Sequence, residues 1–392
     1  MLCLIRKALH PDDEQSVQLD AECDAEKLEA MIKRQSLVTM VYPVIMRQTD
    51  DTWRPLKERL RPVYDREIHK GMVQEYEIQS LLDDMEKDGI DCLPMKGWIM
   101  RNYYPDPLMR SMGDLDVLIR DMDSQKMQKW MEARGYKAVR IQQQFHDEYQ
   151  KPPCMYVELH HCLIDKACLQ PSEIEWMNEI TPTFWDSDNS IKKKKHIYQL
   201  TDELLYVHHI SHFYKHFTGS GVGIRPMIDA YLFLKEKKQV LDWTIVERYL
   251  GDLHLLDFSK HIEQISLNFF GEKQTADEQT LIVIDYLLSS GIYGNAMTSE
   301  TLKMMKDDEK VQKSNVTARM IKRCFLPLNE MRKIYPCLQS CPVLLPFCWL
   351  IRTMRVVFLQ RYKFKIIRCG QSEEACKKMK EVYSAVGITE HT

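Results

Sequence analysis

Two aspartates two residues apart open the stretch best suited to chemistry, MGDLDVLIR from Met112 to Arg120. Asp114 and Asp116 stand at the start of an apolar run, Leu115 with Val117, Leu118 and Ile119. The run is short and partly β-branched, which predicts a buried strand. Side chains alternate across a strand, so both carboxylates project to one face, roughly 6–7 Å apart along the chain. A pair at that spacing can share one or two hard divalent cations, Mg²⁺ being the usual choice where a nucleotide's phosphates complete the shell. A strand carrying two acids near its exposed end is the plain alternative.

Glu158 in YVELHH is the third acid of interest, in a β-rich run where Val157 and Leu159 point to the opposite face. Paired beside the first strand, it brings a third carboxylate to the same cluster. Two metals about 3.5–4 Å apart then clamp an in-line phosphoryl displacement. His160 shares the face of Glu158, where it can support the acid or serve structure alone. Upstream, Lys96-Gly97 precedes a short helix. A glycine lets backbone approach a phosphate, the free amides of a helix start attract anions, and Lys96 adds a point charge. An ordinary turn explains the same dipeptide. Arg110, four residues before Asp114, can place a guanidinium over those phosphates, or be a solvated surface residue. In LLYVHHISHFYKHF, His208, His212 and His216 fall at i, i+4 and i+8 on one helix face. That spacing allows a zinc stripe or a polar face turned toward an active site, and no acid or Cys at ligand spacing supports a closed metal site. Arg225 and Asp229, at i and i+4, read as an intrahelical ion pair.

Several elements must position these groups. From Asp12 to Gly89 the chain is helical in character, most clearly over Val73–Lys87, with Gly89 as the C-terminal stop. Ile90–Gly97 reads as a strand, Trp98–Tyr104 as a short helix, and Asp123-Ser124 as the cap of a helix over Gln125–Arg134. Tyr136–Ile141 and Met155–Ile164 are further strands, separated by a polar loop or hairpin around Phe145–Pro153. The order predicts an α+β fold: a small mixed β-sheet with a helical N-terminal lead-in and a helical C-terminal region. Residues 1–89 form the lead-in, 90–198 the α/β core, and 199–392 a helical region closing over the cleft. Pro171–Lys195 reads as irregular. Cys341–Phe358 is too short in its uninterrupted apolar part to span a bilayer, which needs about 20 residues. A buried helix with a solvated basic end (Arg361, Lys363, Lys365, Arg368) and a membrane-surface helix both fit it.

Composition bounds the function. The 392 residues, 44% of them hydrophobic, suffice for two or three domains. A formal net charge of −3 argues against a general nucleic-acid binder, so no stable nucleic-acid binding is expected. The 12 Cys are scattered without a CxxC pair, and the apolar part of MLCLIRKALHPDDE is too short for a signal peptide. Free thiols in a reducing, cytoplasmic setting are the expectation, with no transmembrane segment.

The order LPMKGWIMRNYYPDPLMRSMGDLDVLI followed by YVELHH resembles the DNA polymerase β-like nucleotidyltransferase superfamily, and within it an uncharacterised bacterial branch. The likeness covers Ile90–Ile164, and more loosely reaches Lys237. It implies that Asp114, Asp116 and Glu158 are the catalytic, metal-binding acids. Lys96, Gly97, Arg110 and Gly113 of the GDxDxLI stretch would bind nucleotide, and His212 and Asp229 would lie on the substrate side. Many members carry Gly-Ser or Gly-Gly where this chain has Lys-Gly. The implied reaction is Mg²⁺-dependent transfer of a nucleoside monophosphate from an NTP to an acceptor hydroxyl, with pyrophosphate released. Two metals are expected and Mn²⁺ is an alternative ion. The acceptor stays open among a sugar, a small metabolite, a protein and an RNA end. A catalytically silent nucleotide-binding or partner-binding module, and a toxin-like enzyme acting on RNA or protein, are the other readings.

Overall fold

A computed structural model describes residues 1–12, 17, 24–141, 146–164, 171–185, 189–271, 275–291, 294, 298–299, 301–302, 305, 325–335, 337–359 and 373–388. The chain forms two compact units, one from residues 1–215, 222–292 and 385–392, the other from 216–221 and 293–384.

The larger unit is α+β. Its lead-in comprises α1 (Leu2–Leu9), α2 (Ala25–Arg34), α3 (Val38–Arg47) and the long α4 (Arg54–Asp88). Gly89, at φ 74°, closes α4 in the left-handed region that a glycine enters without strain. Then come β1 (Cys92–Pro94), α5 (Lys96–Met100), β2 (Leu115–Ile119), α6 (Ser124–Glu132), β3 (Lys137–Arg140), β4 (His146–Lys151) and β5 (Met155–His160). Asp123 caps α6 by accepting from the amides of Gln125 and Lys126. The five strands form one mixed sheet in the order β1-β2-β5-β4-β3. β2 and β5 are parallel, and the other neighbours are antiparallel.

Strand parity divides the sheet into two faces. Leu115, Val117 and Ile119 of β2, with Met155, Val157 and Leu159 of β5, join Ile78, Leu81, Leu82 and Met85 of α4 and Met127 and Met131 of α6 in one core. Each fully buried side chain of this kind contributes roughly 1.5–3 kcal/mol by leaving water. The even-numbered residues between them, Asp116, Glu158 and His160, are thereby forced to the other face. Burying the apolar set fixes the register that aligns the polar set.

Of the polar loop or hairpin expected around Phe145–Pro153, the hairpin is what forms, with β4 as its first arm and β5 as its second. The β4 sequence, HDEYQK, carries one large apolar residue, Tyr149, which faces the core. As an inner strand paired on both sides, β4 is held by backbone ladders rather than by its own apolar pattern. Residues 142–145 lie outside the described chain. Part of Pro171–Lys195, expected to be irregular, is also ordered, as α7 (Pro171–Ile180) and β6 (Ser190–Lys192). β6 pairs with β7 (Tyr198–Leu200), and Trp176 of α7 packs edge-on against Tyr249, with ring centroids 5.7 Å apart. The remaining helices are α8 (Asp202–Gly219), α9 (Arg225–Lys237), α10 (Trp243–Asp252), α11 (Leu256–Phe270) and α12 (Glu278–Ser290).

In the smaller unit, α13 (Leu328–Ile334), α14 (Cys337–Ser340) and α15 (Leu345–Leu359) share a small core of Met331, Leu338 and Cys348. Trp349 donates to the Leu326 carbonyl at 2.8 Å. The last described helix is α16 (Glu373–Ala385). The apolar stretch at Cys341–Phe358 is not the buried helix that composition suggested. Val343 is 82% exposed, and Phe347, Leu350, Ile351 and Met354 are exposed with it. Its small core accommodates one stripe only, so the rest of a helix apolar on most sides faces outward. Arg361, Lys363, Lys365 and Arg368 lie outside the described residues. Among the described residues, no helix is long and apolar enough to cross a membrane, and the eight cysteines are not joined in disulfides.

Candidate active site

The parallel pairing of β2 with β5 sets Asp116 directly opposite Glu158. Asp114 lies two residues earlier on the same face, with Gly113 just before it. Asp116 is 3% exposed and its Oδ1 accepts from two cations or donors: His160 Nε2 at 2.9 Å and Lys96 Nζ at 3.3 Å. Burial pushes the Asp116 carboxyl upward, but the Lys96 charge and the His160 hydrogen bond outweigh it and hold the pKa well below the usual carboxylate range. Asp116 is therefore a fixed negative charge. Glu158 is also lowered: burial works against ionisation, and the hydrogen bond from His160 overcomes it.

Asp114 behaves differently. Although exposed as a residue, it is pushed from 3.8 up to about 6, by desolvation of its carboxyl first and then by the charge of Asp116. The folded carboxyl thus keeps its proton to higher pH than the unfolded chain does. Its contribution to stability is present below 3.8 and is lost as pH rises through about 6. In chelator, wild-type protein should lose stability relative to Asp114→Asn as pH rises across that window. Thermal unfolding of both proteins on either side of pH 6 checks the sign. A gap that stays constant contradicts it.

Lys96 opens α5 and reaches across to α8, where its Nζ donates to His212 Nε2 at 2.8 Å. An ammonium has no acceptor, so the His212 Nε2 is unprotonated and its proton sits on Nδ1. His208, one turn earlier, is buried, and neither of its ring nitrogens has a hydrogen-bond partner. Burial first and the Lys96 charge second push it down to about 3, so it is a neutral imidazole. His208 as a neutral imidazole and His212 as the acceptor from Lys96 thus line the α8 side of the site.

Arg110 is anchored by Asp229, with the charge of Asp114 also acting on it. Its Nε and Nη2 donate to the two Asp229 oxygens at 2.8 Å each, and Tyr104 donates to Asp229 Oδ1 at 2.7 Å. Asp229 therefore joins Arg110 across elements, in place of the expected pair with Arg225, whose Nη2 donates to Ser111 Oγ at 3.1 Å. The third guanidinium nitrogen, Nη1, lies at Gly97 near the start of α5, where a Cβ on residue 97 would stand 3.2 Å from it. Glycine here admits the arginine. Thr39 donates to the Met109 carbonyl and Lys70 to that of Met112, each at 3.0 Å, tying the loop before Asp114 to α3 and α4.

β4 adds residues that sequence reasoning missed. His146 pairs across the strands with His160, and Glu148 with Glu158, so four polar side chains form a block on the site face. His146 Nε2 lies 3.2 Å from Glu148 Oε1 and 3.7 Å from Glu158 Oε2, and His160 Nε2 lies 3.5 Å from Glu158 Oε2. Among the described residues, His146, Glu158 and His160 are the group whose donor atoms lie close enough to share one metal ion, all within 4.8 Å of one another. The signal was present as two i, i+2 pairs, His-x-Glu and Glu-x-His, which become neighbours once the strands run antiparallel. An open groove of about 460 Å³ lined by Asp91, Arg120 and Trp130 lies beyond the far end of β2 from Asp114 and takes no part in this cluster.

A family model described as uncharacterised nucleotidyltransferase matches residues 21–266, more than half of the chain and the whole sheet. The chain belongs to this nucleotidyltransferase family. Nucleotidyl transfer from an NTP is accordingly its class of reaction, and the likeness read from the motif stretch holds at the level of superfamily. No curated protein and no solved structure matches the nucleotidyltransferase.

Proposed function

We propose that the protein transfers a nucleoside monophosphate from an NTP to an acceptor hydroxyl, releasing pyrophosphate, with Mg²⁺ as its ion and Mn²⁺ as a substitute. The observation that carries this is the alignment of Asp116 with Glu158 on parallel strands, with Asp114 on the same face and Lys96 at the same carboxylate. Three carboxylate groups on one sheet face, two of them with depressed pKa values, are the hard-oxygen chemistry a divalent ion takes, which supports this reading. Bound there, such an ion supplies positive charge to phosphate oxygens and makes the attacking hydroxyl easier to deprotonate.

The chain's own groups do the rest. Lys96 is the mobile cation of the site, and leaving Asp116 for a phosphate oxygen keeps its charge paired in both positions. His212 steers it by accepting from Nζ. Arg110 is immobilised by Asp229, so its Nη1 offers a preorganised donor beside Gly97 at no ordering cost when nucleotide arrives. Asp229 acts as a positioning residue on the substrate side of that arginine. Gly113 keeps the approach to Asp114 free of a side chain.

Incubation with each α-labelled NTP and Mg²⁺, with pyrophosphate and label followed together, tests this reading. Wild-type protein should release pyrophosphate and label an acceptor, and chelation or Glu158→Gln should stop both. Metal-dependent nucleotide binding without pyrophosphate release would leave a silent binding module in its place.

A further inference from the structure

We propose that His146, Glu158 and His160 hold a first-row transition-metal dication, a mixed nitrogen and oxygen site beside the Asp pair. The proposal deepens the nucleotidyl-transfer reading in that Glu158 belongs to both donor sets, but it stands on its own geometry.

That geometry is a chain of donor atoms. Asp116 Oδ1 lies 2.9 Å from His160 Nε2, which lies 3.5 Å from Glu158 Oε2, which lies 3.7 Å from His146 Nε2. Ligand bonds of about 2.0–2.2 Å put neighbouring donors roughly 3.0–3.6 Å apart in octahedral or tetrahedral shells. Small side-chain rotations, and release of the Nε2 proton that His160 gives to Asp116, separate the observed cluster from a first shell. The backbone already supplies the alignment, since His146 and His160 are cross-strand partners with ring centroids 5.2 Å apart. Glu148, the partner of Glu158, has its Oε1 3.2 Å from the same His146 Nε2, a contact that gives way when that nitrogen takes the metal and leaves a further carboxylate beside the site. Two imidazoles with a carboxylate are a poor set for Mg²⁺, which prefers oxygen, and a good one for Zn²⁺, Co²⁺ or Mn²⁺. Asp116, at the end of the donor chain, links the mixed site to the oxygen site at Asp114.

Full-length protein stripped with chelator should bind Zn²⁺ in titration calorimetry even with Mg²⁺ in large excess. Loaded with Mn²⁺, it should show ¹⁴N modulation in pulsed electron paramagnetic resonance, the mark of an imidazole ligand. His146→Gln and His160→Gln should each weaken Zn²⁺ affinity by at least about 10-fold, the loss typical of even an outer-shell partner. His161→Gln should leave affinity and ¹⁴N modulation unchanged, because His161 lies instead near Asp147, at 3.6 Å. His160 is buried, so the half-buried His146 keeps the test valid should the His160 variant unfold. Zn²⁺ binding abolished by Mg²⁺, or a Mn²⁺ spectrum without nitrogen coupling, would overturn the site. No nucleotide is used, so protein inactive toward every NTP but retaining the nitrogen signature supports the site while removing the transfer reading.

Discussion

Replacing Asp116 by Asn should lower nucleotidyl transfer by about 10³-fold or more while leaving the protein folded. A metal-bound carboxylate at the reacting phosphates is worth several kcal/mol of transition-state stabilisation, and each 1.36 kcal/mol is a factor of ten. Asn keeps the shape and one acceptor oxygen, so His160 or Lys96 retains a partner. What it removes is the fixed charge that burial alone would have extinguished and that Lys96 and His160 sustain. Pyrophosphate release by wild type and variant, alongside their thermal unfolding, reads the two effects separately. Activity within tenfold of wild type would show that Asp116 is not the ligand around which the site is built.

The largest effect on stability is expected at Asp229. Its carboxylate accepts from Arg110 twice and from Tyr104 once, all three groups being largely or wholly buried. Asp229→Ala strands a guanidinium in the interior, a change that costs about 3–5 kcal/mol. It also removes the acceptor of the Tyr104 hydroxyl, whose ionisation burial and then Asp229 suppress. Urea unfolding of Asp229→Ala, Arg110→Met and the double variant measures this. Either single change should be severe, and the double change should cost clearly less than their sum, because an apolar pair no longer leaves an unpaired charge. Additive losses would mean that the two residues act separately.

How far these features are legible in the sequence depends on the range of the interaction that makes them. The β2 strand is legible because its apolar, β-branched run declares both burial and the common face of Asp114 and Asp116. Glu158 is legible for the same reason, with Val157 and Leu159 assigning it to the face opposite the core. Gly89 and Asp123 mark helix ends through local chemistry alone. β4 is legible only as one alternative, a hairpin against a polar loop, since HDEYQK owes its strand to neighbours on both sides, and its undecided register hides His146 and Glu148. Arg110 and Asp229 are 119 residues apart, so no local pattern announces their pairing, whereas Arg225 at i−4 offers a plausible local partner. Hydrophobicity likewise over-read Leu345–Leu359 as core, because how many of its sides find cover is decided by the helices around it.

The central claim is that Asp114, Asp116 and Glu158 together seat a metal-bound nucleoside triphosphate. Its most direct test is calorimetric titration of a non-hydrolysable NTP analogue in Mg²⁺ into wild type, Asp116→Asn and Glu158→Gln, each verified as folded. Binding by wild type that requires Mg²⁺ and falls at least tenfold in both variants is the predicted result. Binding that ignores chelation and both substitutions, or its absence from folded wild-type protein with every nucleotide, would contradict it.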